Sequence, residues 1–187
     1  MDAFSYLSVL LSVILGLAIQ QVLQGYRALA LNRAHVTWYW PSMVWSVLLL
    51  GMVAQHWWAS FDLTNHTNWS FVAFAAILVM TALIYMMAAL VLPDVPADKP
   101  IDLRDHYFRE APVFFGFGVA AILWSMIREL LLDGKMIDGG NLAFHLGFLT
   151  LSIIAAITRR DWVHKLFAAV MIAMFVLYIA ALFMKLG

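Results

Sequence analysis

The sequence predicts an all-α integral membrane protein with six transmembrane helices, and three observations carry that prediction. Of the 187 residues, 65% are hydrophobic and only 12% are charged. The apolar residues gather in six runs, each close to the roughly 20 residues that a helix needs to cross a bilayer. Hydrocarbon offers nothing to an open backbone, so such runs must fold as helices that close their own hydrogen bonds. Little chain is left over for a soluble domain. One transmembrane domain over 1–187 is therefore expected, with any chemistry inside the bundle or at its mouths.

The elements follow in order. The first run, Tyr6 to Leu31, begins just after Met1-Asp2-Ala3, which lacks the basic segment of a cleavable signal; the run is also too long for one. The second, Pro41 to Phe61, opens on a proline, which the first turn of a helix tolerates. The third, Trp69 to Leu92, is stopped by Pro93. The fourth, Pro112 to Leu132, again opens on proline. Gly139 and Gly140 break the chain before the fifth, Asn141 to Ile157, with Asn141 as its expected cap. The sixth runs from Leu166 to Met184. The long connection from Pro93 to Ala111 carries Asp94, Asp98, Asp102, Arg104, Asp105 and Arg109. Its second half predicts a short amphipathic helix lying on the membrane surface.

Basic residues set the orientation. Arg27, Arg33, Lys99, Arg104, Arg109, Arg159, Arg160 and Lys165 fall on the first, third and fifth connections and their helix ends. Only Arg128, Lys135 and Lys185 fall on the other side, so 8 of 11 basic residues mark one face as cytoplasmic and put both termini outside. Tryptophans mark both boundaries: Trp38, Trp40 and Trp162 at the basic side, Trp57, Trp58 and Trp69 at the other. Asn65-His66-Thr67 and Asn68-Trp69-Ser70 read as glycosylation triplets, which matter only in a eukaryotic secretory pathway. Net charge is zero, so nucleic-acid binding has no electrostatic basis. With no cysteine there is no disulfide, thiolate metal site or cysteine nucleophile.

A short self-similarity suggests duplication. Arg27-Ala28-Leu29-Ala30-Leu31-Asn32 ends the first span and Arg128-Glu129-Leu130-Leu131-Leu132-Asp133 ends the fourth, an offset of 101. Halves 1–93 and 94–187 would then be inverted three-helix repeats.

Polar residues are not scattered. Ser5, Ser8, Ser12, Gly16, Gln20, Gln24 and Arg27 share an arc of about 160° on the first span. Ser42, Ser46, His56 and Ser60 share a face of the second, Gly118, Ser125, Arg128 and Glu129 of the fourth, and Asn141, His145 and Ser152 of the fifth. The third and sixth spans are almost purely apolar, which predicts a centre made by the first, second, fourth and fifth. Ser12, Gln20, Gln24, Arg27 and Ser46 are the candidates to line a path, while His56, Asp62, Arg128, Glu129 and His145 are the candidates for its outer mouth. Small residues at four-residue spacing equally fit helix packing. His56 and His145 fall at similar depth and have the chemistry of axial haem ligands or of a metal site; hydrogen bonding to neighbouring helices is the plainer role. No cofactor is otherwise implied. No nucleophile–histidine–carboxylate set, HExxH or phosphate-binding glycine loop occurs.

Tyr6-Leu7-Ser8-Val9-Leu10, Tyr39-Trp40-Pro41, Trp57-Trp58, Val91-Leu92-Pro93-Asp94, His106-Tyr107-Phe108 and Asn141-Leu142-Ala143-Phe144-His145 together give the chain a familiar cast. Over nearly its whole length it resembles an uncharacterised family of short bacterial multi-pass inner-membrane proteins. The resemblance implies a bacterial inner membrane; it implies no activity and no site residues. The expectation is thus a small channel or transporter for an ion or small polar solute, surrounded by lipid and assembled as a homo-oligomer or with a membrane-protein partner. The alternatives are a non-catalytic scaffold, sensor or accessory subunit, and a haem-binding redox protein.

Overall fold

The computed structural model describes residues 3–65, 69–96, 99–133 and 139–182. Six long helices make up most of them: α1 (Ala3–Leu31), α2 (Trp40–Ala59), α3 (Phe71–Leu90), α4 (Leu103–Asp133), α5 (Gly139–Ile157) and α6 (Asp161–Leu182). Five of these are long and apolar enough to cross a membrane, which makes this a multi-pass membrane protein. The sixth, α2, is long enough at 20 residues, but Gln55, His56 and its tryptophans dilute the apolar run. Expected and observed boundaries differ most at α4. The two glycines expected to precede α5 form its first turn, so Asn141 lies inside the helix rather than capping it.

Five helices form a ring. Each of α2, α3, α4, α5 and α6 packs on the next, and α6 closes back on α2. Gly51 makes that closure possible, because a Cβ there would lie 2.8 Å from the ring of Phe175. α1 stands outside the ring against α3 and α2. The expected centre of first, second, fourth and fifth spans is therefore corrected: α1 is peripheral, and the apolar α3 and α6 complete the wall. The physical reason is visible on α1 itself. Leu7, Leu11, Leu15, Ala18 and Val22 recur every three or four residues and are buried, whereas the polar stripe lies on the opposite, exposed face. The helix packed by its better hydrophobic stripe.

The three connections rich in basic residues meet at one end. Val36–Thr37 (β1), after α1, pairs in parallel with Ile101–Asp102 (β2), before α4. The buried Asn32 joins the same two connections: Nδ2 donates to Ala28 O at 2.9 Å and to Pro96 O at 3.4 Å, and Oδ1 accepts from Lys99 N at 3.1 Å. Ser42 donates to Leu103 O at 3.3 Å. Arg104 reaches Asp161 at 3.4 Å and brings the α5–α6 connection to the same place. Beneath these bonds lies an aromatic layer of Tyr39, Trp45, Tyr107, Phe108, Phe114, Phe115 and His164.

The expected surface helix is instead the start of α4, which runs unbroken for 31 residues. Asp102 Oδ1 caps it, accepting from Arg104 N and Asp105 N at 2.9 Å each. Pro112 then sits in the helix interior, where it cannot donate to Phe108 O. Arg159 Nη1 takes that carbonyl instead. Arg159, expected to set the orientation, also covers the carbonyl that Pro112 leaves.

The halves proposed as repeats have similar helices, 29, 20 and 20 residues against 31, 19 and 22. They pack differently: α1 lies mainly on α3, whereas α4 lies mainly on α5 and α3.

Candidate cavity between five helices

The ring encloses a cavity of about 550 Å³. On α2 its lining runs from Trp45 to Ala59 and continues to Ser60; on α4 it runs from Phe115 to Glu129. Either stretch measures roughly 21 Å at 1.5 Å per residue, about two-thirds of a bilayer's hydrocarbon thickness. The cavity thus begins at the end opposite the basic connections and stops in the aromatic layer. Trp45 and Phe115 form its floor, with ring centroids 5.0 Å apart and planes at 79°. Phe115 is 1% exposed, Tyr107 packs edge-on against it, and His164 packs edge-on against Tyr107. Among the described residues the cavity lining ends at that layer.

The wall changes character with depth. Met52, Met80, Met87, Phe148, Met171 and Phe175 give a deformable apolar lower wall. Gln55, His56, Ser60, Ser125, Arg128, Glu129, Asn141 and His145 gather toward the upper end. Such a wall accepts a solute with an apolar body and a hydrogen-bonding head.

Most of the expected mouth residues come together here. His56 on α2, Arg128 and Glu129 on α4, and His145 on α5 all line the cavity. The side chain of Asp62 lies outside the described residues, as do Lys135, Lys185 and the centre of the glycosylation triplets. The expected path residues do not join them. Ser12, Gln20, Gln24 and Arg27 stand on the exposed face of α1, outside the ring. Ser46 is fully buried and makes a helix contact: it donates to Met43 O at 2.7 Å and accepts from Tyr26 Oη at 2.8 Å. The wall expected along α1 is corrected on this geometry, because α1 does not border the cavity.

Hydrogen bonds assign the two histidines opposite tautomers. Thr81 gives its proton to Ile77 O at 3.0 Å, so its oxygen accepts from His56 Nε2 at 3.1 Å. That leaves Nδ1 of His56 as the acceptor in the neutral ring. His145 donates from Nδ1 to Asn141 O at 2.9 Å and accepts at Nε2 from Ser125 at 3.2 Å. Both ring nitrogens of His145 are therefore engaged, and axial ligation of a haem would have to displace Ser125. Among the described residues no three histidines and carboxylates cluster as a metal site. The histidines' observed work is to tie α2 to α3 and α5 to α4.

The rim is tied together further. Asn141 Nδ2 donates to Glu129 Oε1 at 3.4 Å, and Trp124 Nε1 donates to Ala76 O at 2.7 Å. Sequence reasoning missed Gln55 and the methionines. Gln55 sits four residues before the end of the helix, next to His56, and a large amide there was the available signal. The methionines carried none, since their residue type looks the same facing lipid or facing a cavity.

Compared with known proteins, the chain matches no family model, no curated protein and no solved structure. The site has to be read from its own chemistry.

Proposed function

We propose that this protein is a small transporter whose solute site is the one-ended cavity. The observation that supports the reading is the cavity's asymmetry: about 550 Å³ between five helices, polar at one end and sealed at the other by Trp45 and Phe115. An open channel needs a continuous path. A carrier needs a site that faces one side at a time, and a packed aromatic floor suits the closed side. The mixed wall favours a solute with an apolar body and a polar head over a bare ion.

In the same reading α2 is a sixth span, since it stands in the ring beside α3 and α6. The basic end faces the cytoplasm of a bacterial inner membrane, and the cavity and both termini face the periplasm. A one-sided sensor or accessory subunit is the competing function, and the sealed floor fits it too.

Thiol labelling separates the two, because the chain has no cysteine to interfere. Ser152→Cys places a thiol on the cavity wall, and Ser42→Cys places one in the packed basic end. With a membrane-impermeant maleimide, a transporter makes Ser152→Cys reactive from both sides of the membrane, and Ser42→Cys from neither. Reaction from the periplasmic side alone supports a sensor. No reaction from either side means that water does not enter the cavity, and the transport reading fails.

A further inference from the structure

α1 presents two unlike faces. Leu7, Leu11, Leu15, Ala18 and Val22 are spent on contacts within the chain. The outward face carries Ser12, Gly16, Gln20, Gln24 and Arg27, about one per helical turn. On a helix that crosses hydrocarbon, this outward face meets either lipid or another protein. Arg27, near the basic end, extends its guanidinium to the headgroups. Gln20 lies seven residues further in, about 10 Å along the axis, beyond the reach of its amide to water. Among the described residues Gln21 is the glutamine of α1 that bonds within the chain, to Tyr85 Oη at 3.3 Å. Among those residues Gln20 and Gln24 have no such partner.

Gly16 is an independent observation. Gly25, on the packed face, is required by the chain itself, because a Cβ there would collide with Leu92. A Cβ on Gly16 would meet nothing within 4 Å. Among the described residues no contact asks for glycine at that position. Close approach of a second helix does.

We propose that this face docks a second copy of the same chain, with the two α1 helices crossing at Gly16 and Gln20. Copies inserted in one membrane share an orientation, so a two-fold axis along the membrane normal sets each stripe residue opposite itself. Glutamine suits that position because its amide both donates and accepts, and one side chain complements its twin. Lipid chains offer neither group at that depth. A right-handed crossing of about 40° lets the small residues touch and splays the helix ends. The two Arg27 side chains, about 16 Å along the axis from Gly16, are thereby carried apart. The interface leaves the cavity untouched, since α1 lies outside the ring, so this inference does not depend on the transport reading.

Ser12→Cys, which is close to isosteric, tests it by oxidative cross-linking in native membranes. Val176→Cys, on the exposed face of α6, is the control. The expected result is a disulfide-linked dimer of the chain at Ser12→Cys, at least tenfold above the control. Adding Gly16→Ile or Gln20→Leu to Ser12→Cys should cut that yield about tenfold, while Gln20→Asn, which keeps the amide, retains much of it. Monomer at Ser12→Cys, equal yields at the two cysteine positions, or a disulfide to a different protein would each overturn the proposal. Fluorescence size-exclusion of every variant confirms folding, so a lost dimer is not mistaken for a lost protein.

Discussion

The two ends of the bundle hold the same kinds of side chain and use them in opposite ways. At the basic end Asn32, Ser42, Tyr107, His164 and Arg159 each bond to a fixed group on another segment. Their bonds draw three connections into one packed layer. At the opposite end Gln55, Ser60, Arg128 and Asn141 face a cavity. What differs is the supply of backbone partners. A parallel strand pair and three converging loops bring free carbonyls and amides to the basic end, and the side chains close on them. Facing helices have already spent most of their backbone groups, so polar side chains between them share a few helix carbonyls, as Trp124, His145 and Ser60 do, and otherwise meet one another or water. In this conformation one end is packed shut and the other retains space.

The largest expected effect breaks the closed end. Asn32 is 2% exposed and serves three backbone groups. Asn32→Leu keeps the volume but removes the bonds to Pro96 O and Lys99 N, at a cost of about 2 kcal/mol, taking about 1 for each bond because both partners are exposed enough for water to replace it. Thermal unfolding in detergent measures it, and Asn32→Asp should recover part of the loss through Lys99 N. A neutral Asn32→Leu would mean that the layer is held by its aromatics alone.

A middle-sized effect sharpens the account of α4. Arg159→Ala should cost about 1.5 kcal/mol, the range for hydrogen bonds to a charged group. Pro112→Ala supplies the missing N–H to Phe108 O, so in that background Arg159→Ala should cost less than half as much. Additive losses in this double-mutant cycle would show that the two residues act separately.

The membrane class was legible because its signal is long and redundant: five of the six apolar runs reappear as helices fit to span, within a few residues at most ends. The cavity mouth was partly legible for a related reason. His56, Arg128, Glu129 and His145 are large polar groups near helix ends, and the structure gathers all four on the cavity wall. Which helices form the centre was not legible. A polar stripe states that a helix face avoids lipid, but not whether the partner belongs to the same chain. On α1 the stripe competed with an apolar stripe of good heptad spacing, and the apolar one took the intramolecular contacts. The role of Pro112 was hidden too, since proline reads as a helix start unless a distant arginine is known to cover the freed carbonyl.

The smallest effect on stability carries the most information about the open end. Gln55 lines the cavity and is half-buried, and among the described residues it bonds to nothing in the chain. Removing its amide strands no partner, so Gln55→Leu should change stability by no more than about 0.5 kcal/mol, as substitutions away from bonded networks do. Its consequence lies in hydration. With one fewer hydrogen-bonding group on a wall already rich in methionine, water enters less often, and maleimide labelling of Ser152→Cys should slow several-fold. Asn32→Leu should leave that labelling rate unchanged as long as the protein remains folded. If instead Gln55→Leu destabilises the protein as much as Asn32→Leu does, Gln55 is a structural bond in solution, and the upper wall is packed like the basic end. The contrast between a shut end and an open one rests on these two substitutions giving opposite patterns, one in stability and the other in access.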